Sequence, residues 1–213
     1  MVRQKLFVLS LLGALLSFSL LGCTANPGAE FGDDFVYDQI PSGVDAQITQ
    51  GYESLASGAN SSARLAFNVV INDNPSDVQE SLAYVGVGYV DTRNLGSSEG
   101  IAEFALAYDL DKTNPDARVG YAGALITRGR TDDITQAIQL IEGLNTGNPN
   151  FVYADRFHLG ITNAEVHALL AYAYKAAGRN TESALQAGIA NQLDASVNNT
   201  TVDQILEVLA FIP

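Results

Sequence analysis

Residues 51–75 read "GYESLASGANSSARLAFNVVINDNP", and the fold is decided by how this stretch is read. Gly51, Ala63, Phe67, Val70 and Pro75 stand at offsets 0, +12, +16, +19 and +24. The first two are small, which lets two antiparallel helices approach closely where they cross, and the aromatic fills the space beside them. Asn74-Pro75 then stops the second helix, because proline lacks an amide and restricts the residue before it.

The pattern recurs along the chain. Two further units share a period of 37 residues: Leu82 pairs with Val119, Gly86 with Gly123, Tyr89 with Ile126, Gly100 with Ala137 and Phe104 with Ile141. Asn114-Pro115 and Asn148-Pro149 close them, and each has two extra residues between its helices, in "VDTRNLGSSEG" and "TRGRTDDITQ". A fourth unit returns to the first spacing, with Ala171, Ser183, Ala187 and Ala190 at 0, +12, +16 and +19. Its first helix opens at Thr162-Asn-Ala-Glu165, a capping box. An insertion, "NFVYADRFHLGI", precedes that cap and has no counterpart in the other units. These offsets resemble the tetratricopeptide repeat over residues 45–194. The resemblance implies an all-α fold, a right-handed superhelix of about four helical hairpins plus a C-terminal capping helix, occupying residues 45–213. The capping helix is expected in "TTVDQILEVLAFIP", where Val202, Ile205, Leu206 and Leu209 form an apolar stripe. Val208, Phe211 and Ile212 lie off the stripe, which points either to burial by a wrapped terminus, the favoured reading, or to a contact surface.

Upstream the composition changes. Residues 24–44 are rich in Gly, Pro and Asp without helical periodicity and read as a flexible tether. Before them, Arg3 and Lys5 precede an uncharged apolar run from Leu6 to Leu21, too short for a membrane span and suited to a secretory leader. Leu20-Leu21-Gly22-Cys23 closes the run and resembles the lipobox of bacterial lipoproteins. That resemblance implies a signal peptide over 1–22, cleavage before Cys23, and acylation of its sulfur and new amine, palmitate among the chains. Cys23 is the only cysteine, and a thiol consumed in a thioether needs no disulfide partner. Thr24 stands where the lipoprotein sorting rule places Asp for inner-membrane retention, so the implied site is the outer membrane, facing the periplasm.

Without the leader the chain carries nine Lys and Arg against 24 Asp and Glu, a balance that argues against nucleic acid as partner. No constellation for catalysis stands out. His158 and His167 lack zinc-ligand spacing, and no nucleophile motif accompanies them or Asp155, so both are expected to be exposed or hydrogen-bonded structural histidines. "DLDKTNPDARVG", from Asp109, lacks the glycine and final glutamate of a calcium loop and reads as a helix end and a turn. Gly86-x-Gly88 falls inside a helix, where it cannot cradle phosphate. The expectation is therefore a non-enzyme with no cofactor and no metal.

What remains is surface. Tetratricopeptide domains bind peptides or helices on a concave face lined by the first helix of each hairpin. Carried onto this chain, those positions are Tyr52, Leu55 and Ala56; Val87, Val90 and Asp91; Ala124, Thr127 and Arg128; Tyr172, Lys175 and Ala176. Tyr52, Asp91, Arg128, Tyr172 and Lys175 are the expected partner-binding residues. The expected function is a membrane-anchored protein–protein interaction adaptor or assembly scaffold in the bacterial envelope, held by a lipid anchor beside an envelope protein or peptide. The alternative is a periplasmic carrier of a small apolar ligand, or a transporter-accessory protein, with Phe151, Tyr153 and Phe157 of the insertion enclosing a pocket.

Overall fold

The computed structural model describes residues 43–96, 98–148, 151–194 and 200–209. Cys23, the leader and nearly all of the tether lie outside these residues, as do Phe211, Ile212 and the side chain of Val208. The described chain is all-α, with no strand among its residues. Its helices are α1 (Val44–Ala56), α2 (Asn60–Asn72), α3 (Asp77–Leu95), α4 (Ile101–Leu110), α5 (Pro115–Arg128), α6 (Thr131–Glu142), α7 (Asn163–Ala176), α8 (Asn180–Asp194) and α9 (Thr200–Leu209). Among the described residues no helix is long and apolar enough to cross a membrane.

Local chemistry sets the helix starts. Ser76 Oγ accepts from the Gln79 amide while Gln79 Oε1 accepts from the Ser76 amide, opening α3 with a reciprocal pair. Thr162 and Glu165 do the same for α7, as the sequence predicts. At α5 the cap is Asn114, whose Oδ1 accepts from the Asp116 and Ala117 amides, with Pro115 in the first helical position. The segment from Asp109 is thus a helix end and a turn: α4 stops at Leu110, and Asp111 Oδ1 accepts from the Thr113 amide and hydroxyl.

Two of the three Asn-Pro pairs depart from the expectation that each stops a helix. Asn74 follows the end of α2 in the left-handed region at φ 50°. Asn114-Pro115 starts a helix rather than ending one. Asn148 lies well past the end of α6, which is capped at Gly143. A Cβ on Gly143 would come within 2.0 Å of Arg118 Nη1, so a larger residue there requires that flexible side chain to move.

Each helix packs against the next in the chain, and the odd helices also pack in series: α1 on α3, α3 on α5, α5 on α7 and α7 on α9. Among the described residues no even helix packs against another even helix. The result is an odd-helix layer backed by the even helices. Phenylalanines from the even helices lock it. Phe67 of α2 is fully buried between α1 and α3, where a Cβ on Gly51 or Gly86 would approach its ring to 2.5 and 2.2 Å. Phe104 of α4 is held the same way between α3 and α5, against Gly88 and Gly120 at 2.8 and 2.4 Å. Gly86 and Gly88 therefore serve two different aromatics. Gly120, which the period-37 pairing leaves out, is also a contact glycine.

Hydrogen bonds tie helix pairs where small residues cross. Ser183 Oγ donates to Ala171 O at 2.8 Å in the fourth hairpin, and Ser81 Oγ donates to Ala107 O at 2.8 Å in the second. Asn114 Nδ2 donates to Ser81 Oγ at 2.9 Å, extending that link to the cap of α5. The end of the array is covered by α9, whose Val202 and Ile205 are fully buried and whose Leu206 is half-buried against the α7 core.

Candidate functional site

The odd-helix layer is the surface the sequence marks for recognition, and a segment of the same chain lies on it. Residues 151–161 leave α6 without forming a helix or strand and cross back over α7, α5 and α1 before α7 begins. At the α7 end, Phe151 meets His167 edge-on at 5.7 Å, and the Tyr153 amide donates to Asn163 Oδ1 at 3.0 Å. Over α5, the Tyr153 hydroxyl donates to Asp116 Oδ1 at 2.7 Å, and Arg156 Nη2 pairs with Asp116 Oδ2 and reaches Asn114 Oδ1 at 3.2 Å. Over α1, Phe157 lies flat on Tyr52, with ring centroids 3.7 Å apart and planes within 6°. Leu159 is buried with the core of the first hairpins.

A tight turn shapes this segment. The Asp155 carboxylate accepts from the Leu159 and Gly160 amides at 2.8 and 2.7 Å. His158 and Gly160 both adopt positive φ, 54° and 83°. The turn puts adjacent residues, Arg156 and Phe157, onto two different helices. The Arg156 guanidinium also lies over the Phe157 ring at 5.4 Å.

The electrostatics follow from burial. Asp116 is only 2% exposed, so its carboxylate depends on the Arg156 cation, the Tyr153 hydroxyl and the amino end of α5. Burial pushes the Tyr153 phenol far above its ordinary range, and neighbouring Tyr89 and Asp116 push it further. Tyr52 is raised the same way, by burial first and then by Asp116. Its hydroxyl donates to Leu82 O at 2.8 Å. The Tyr89 hydroxyl, beneath the same region, has no hydrogen-bond partner among the described residues.

Most of the residues expected to form a shared binding face are engaged by neighbours within the chain. Tyr52 is 2% exposed, covered by Phe157 and fixed by its bond to α3, so it does not present a free ring. Asp91 is buried and pairs with Arg64 of α2. Arg128 makes a forked pair with Asp133 across the α5–α6 turn, at 2.8 and 2.7 Å, which draws the Asp133 carboxyl below its ordinary range. Lys175 donates to Asn180 Oδ1 at 2.9 Å. Arg128, Tyr172 and Lys175, all half-buried, keep exposed surface. Of the positions assigned beside them, Leu55, Val87, Val90, Ala124 and Thr127 are buried.

Sequence reasoning missed Asp116, the centre of the arrangement. The one local signal was Asn114-Pro115-Asp116, which marks a helix start and gives no hint of a cation arriving from residue 156. His167 is buried, and its Nδ1 donates to Gln186 Oε1 at 2.6 Å, while His158 is exposed, both as expected of structural histidines. Phe157 is committed to Tyr52 of the first hairpin instead of facing Phe151 around the fourth. Among the described residues no group of three or more His, Cys, Asp or Glu is placed to hold a metal ion. No protein-family model, no curated protein and no solved structure matches this chain, so the functional reading rests on its own residues.

Proposed function

We propose that this chain is a bacterial outer-membrane lipoprotein, anchored through an acylated Cys23, whose hairpins form a tetratricopeptide-like right-handed superhelix. It acts as an adaptor for an envelope protein or peptide and carries out no chemistry on it. The observation that carries the reading is the seating of residues 151–161 on the odd-helix layer. An extended segment with aromatic and basic side chains is bound there through a ring stack, a charge pair and backbone bonds. The serial packing of α1, α3, α5 and α7 supports the repeat reading, as does the gripping of Phe67 and Phe104 each between two successive odd helices. A tether to the membrane would supply function by raising the local concentration of the partner.

Two measurements test the proposal. Mass spectrometry of the amino-terminal peptide from the native host is expected to find diacylglyceryl on Cys23, and Cys23→Ser is expected to release the protein from membranes. An unmodified sulfur in the wild type would remove the anchor. For the adaptor, a photocrosslinking residue is placed at position 172 or 175 on the odd-helix side, or at position 65, where Leu65 is 69% exposed on α2. Crosslinks to the same envelope protein are expected from 172 and 175 and not from 65. A co-purifying lipid with no protein crosslink would overturn the adaptor in favour of a ligand carrier.

A further inference from the structure

We infer that residues 151–161 are a built-in occupant of the odd-helix face, and that its external partner is a peptide with an arginine directly before an aromatic residue, replacing Arg156 at Asp116 and Phe157 at Tyr52. The inference rests on the adaptor reading and adds to it the chemistry of the partner and a gate.

The two seats define the pair. Asp116 is almost wholly buried and requires a cation, and the planar guanidinium fork reaches both its carboxylate and Asn114 Oδ1, which a single ammonium is poorly shaped to do. Tyr52 offers a flat ring at 3.7 Å. Because neighbouring residues of the segment fill both seats, the same spacing is required of a competitor. The chain's net charge of −13 favours the approach of a basic segment.

The present occupant has a solvent-facing side at which exchange can begin. Val152 is 72% exposed, the Arg156 side chain is 45% exposed, and His158 sits in the left-handed region that non-glycine residues rarely adopt. The fit is also incomplete. The Tyr89 hydroxyl is buried without a partner among the described residues, within electrostatic reach of Tyr153, Asp116 and Asp155. A peptide that brings an acceptor there satisfies a group the segment leaves bare. An internal competitor that leaves the face open about 1% of the time lowers apparent affinity about 100-fold.

The test uses the full chain and a fluorescent synthetic peptide copying residues 151–161, with a control peptide carrying the R156E and F157A changes. The Arg156→Ala, Phe157→Ala protein is expected to bind the copy at least tenfold more tightly than wild type and to ignore the control. Adding Tyr52→Leu to that variant is expected to abolish the gain. A second readout needs no variant: excess copy peptide, at about 1 mM, is expected to speed hydrogen exchange at the Leu159 and Gly160 amides of the wild-type protein. Equal affinity for wild type and variant, equal binding of the control peptide, or unchanged exchange would each overturn the inference. If the peptide results fail while crosslinks from positions 172 and 175 persist, the gate falls and the adaptor stands. If those crosslinks fail while the peptide exchanges, the adaptor falls and the occupant's displacement stands.

Discussion

Phe67 shows how single residues hold this array together. Its ring sits where Cβ atoms on Gly51 and Gly86 would stand, so one side chain from α2 keys α1 to α3. Gly86→Ala adds a methyl 2.2 Å from Phe67 Cζ in a fully buried site, forcing the ring or a helix to move. The expected loss is about 1–3 kcal/mol, larger than the helix-propensity gain from replacing glycine by alanine. Chemical denaturation of Gly86→Ala, Phe67→Leu and the double variant checks it, with the double variant expected to lose less than the sum. Gly178, where a Cβ would meet nothing but φ is 76°, is a control for conformational cost alone. This level was half legible in the sequence. Gly51, Ala63 and Phe67 carried their spacing openly, whereas Tyr52 looked like a surface anchor because the residue covering it, Phe157, lies in a distant part of the chain.

At the scale of elements, turns and caps proved harder to read than helices. The Thr162–Glu165 box was plain because both partners are three residues apart and act locally. Asn-Pro was ambiguous for a physical reason: proline is as suited to the first position of a helix as to the position after one, and only the neighbouring packing decides. Arg128 also carries a local role at a turn. Its forked bond to Asp133 clamps the short α5–α6 turn, a use that a residue's offset within a repeat does not disclose. Because Arg128 lowers the Asp133 pKa in the folded state, the contribution is present above the unfolded value near 4 and is lost as pH falls through the folded value. Asp133→Asn is accordingly expected to lower stability by about 1 kcal/mol at neutral pH. Melting curves of variant and wild type should converge as pH drops below about 4. A gap that stays constant into acid would show that the charge pair is not its source.

For the molecule as a whole, the alternation of odd and even helices was legible because it needs only a repeated pattern of small and aromatic residues. The crossing of the odd-helix face by residues 151–161 was not, since it joins α7 to α1 and obeys no period. Its effect extends to alkaline pH. Tyr52, Tyr89 and Tyr153 are all raised by burial, so their share of stability is intact below the ordinary phenol value and is lost as pH rises beyond it. Ultraviolet titration is expected to show five of the nine tyrosines, Tyr52, Tyr89, Tyr153, Tyr172 and Tyr174, ionising above the ordinary phenol value, with the deeply buried Tyr89 released only as the helices melt. Smooth ionisation of all nine before any loss of helicity would contradict their burial. The stack of Phe157 on Tyr52 has a kinetic corollary as well. Arrays of hairpins make near-neighbour contacts and assemble quickly from any point, but this contact closes a loop of roughly a hundred residues. It is therefore expected to form late, together with the other contacts of residues 151–161 to the first hairpin. The chain contains no tryptophan, so Phe157→Trp supplies a lone fluorophore whose signal in stopped-flow refolding should lag the helical signal. Such a lag would mean that the newly made protein passes through a form with its helices stacked and its odd face uncovered.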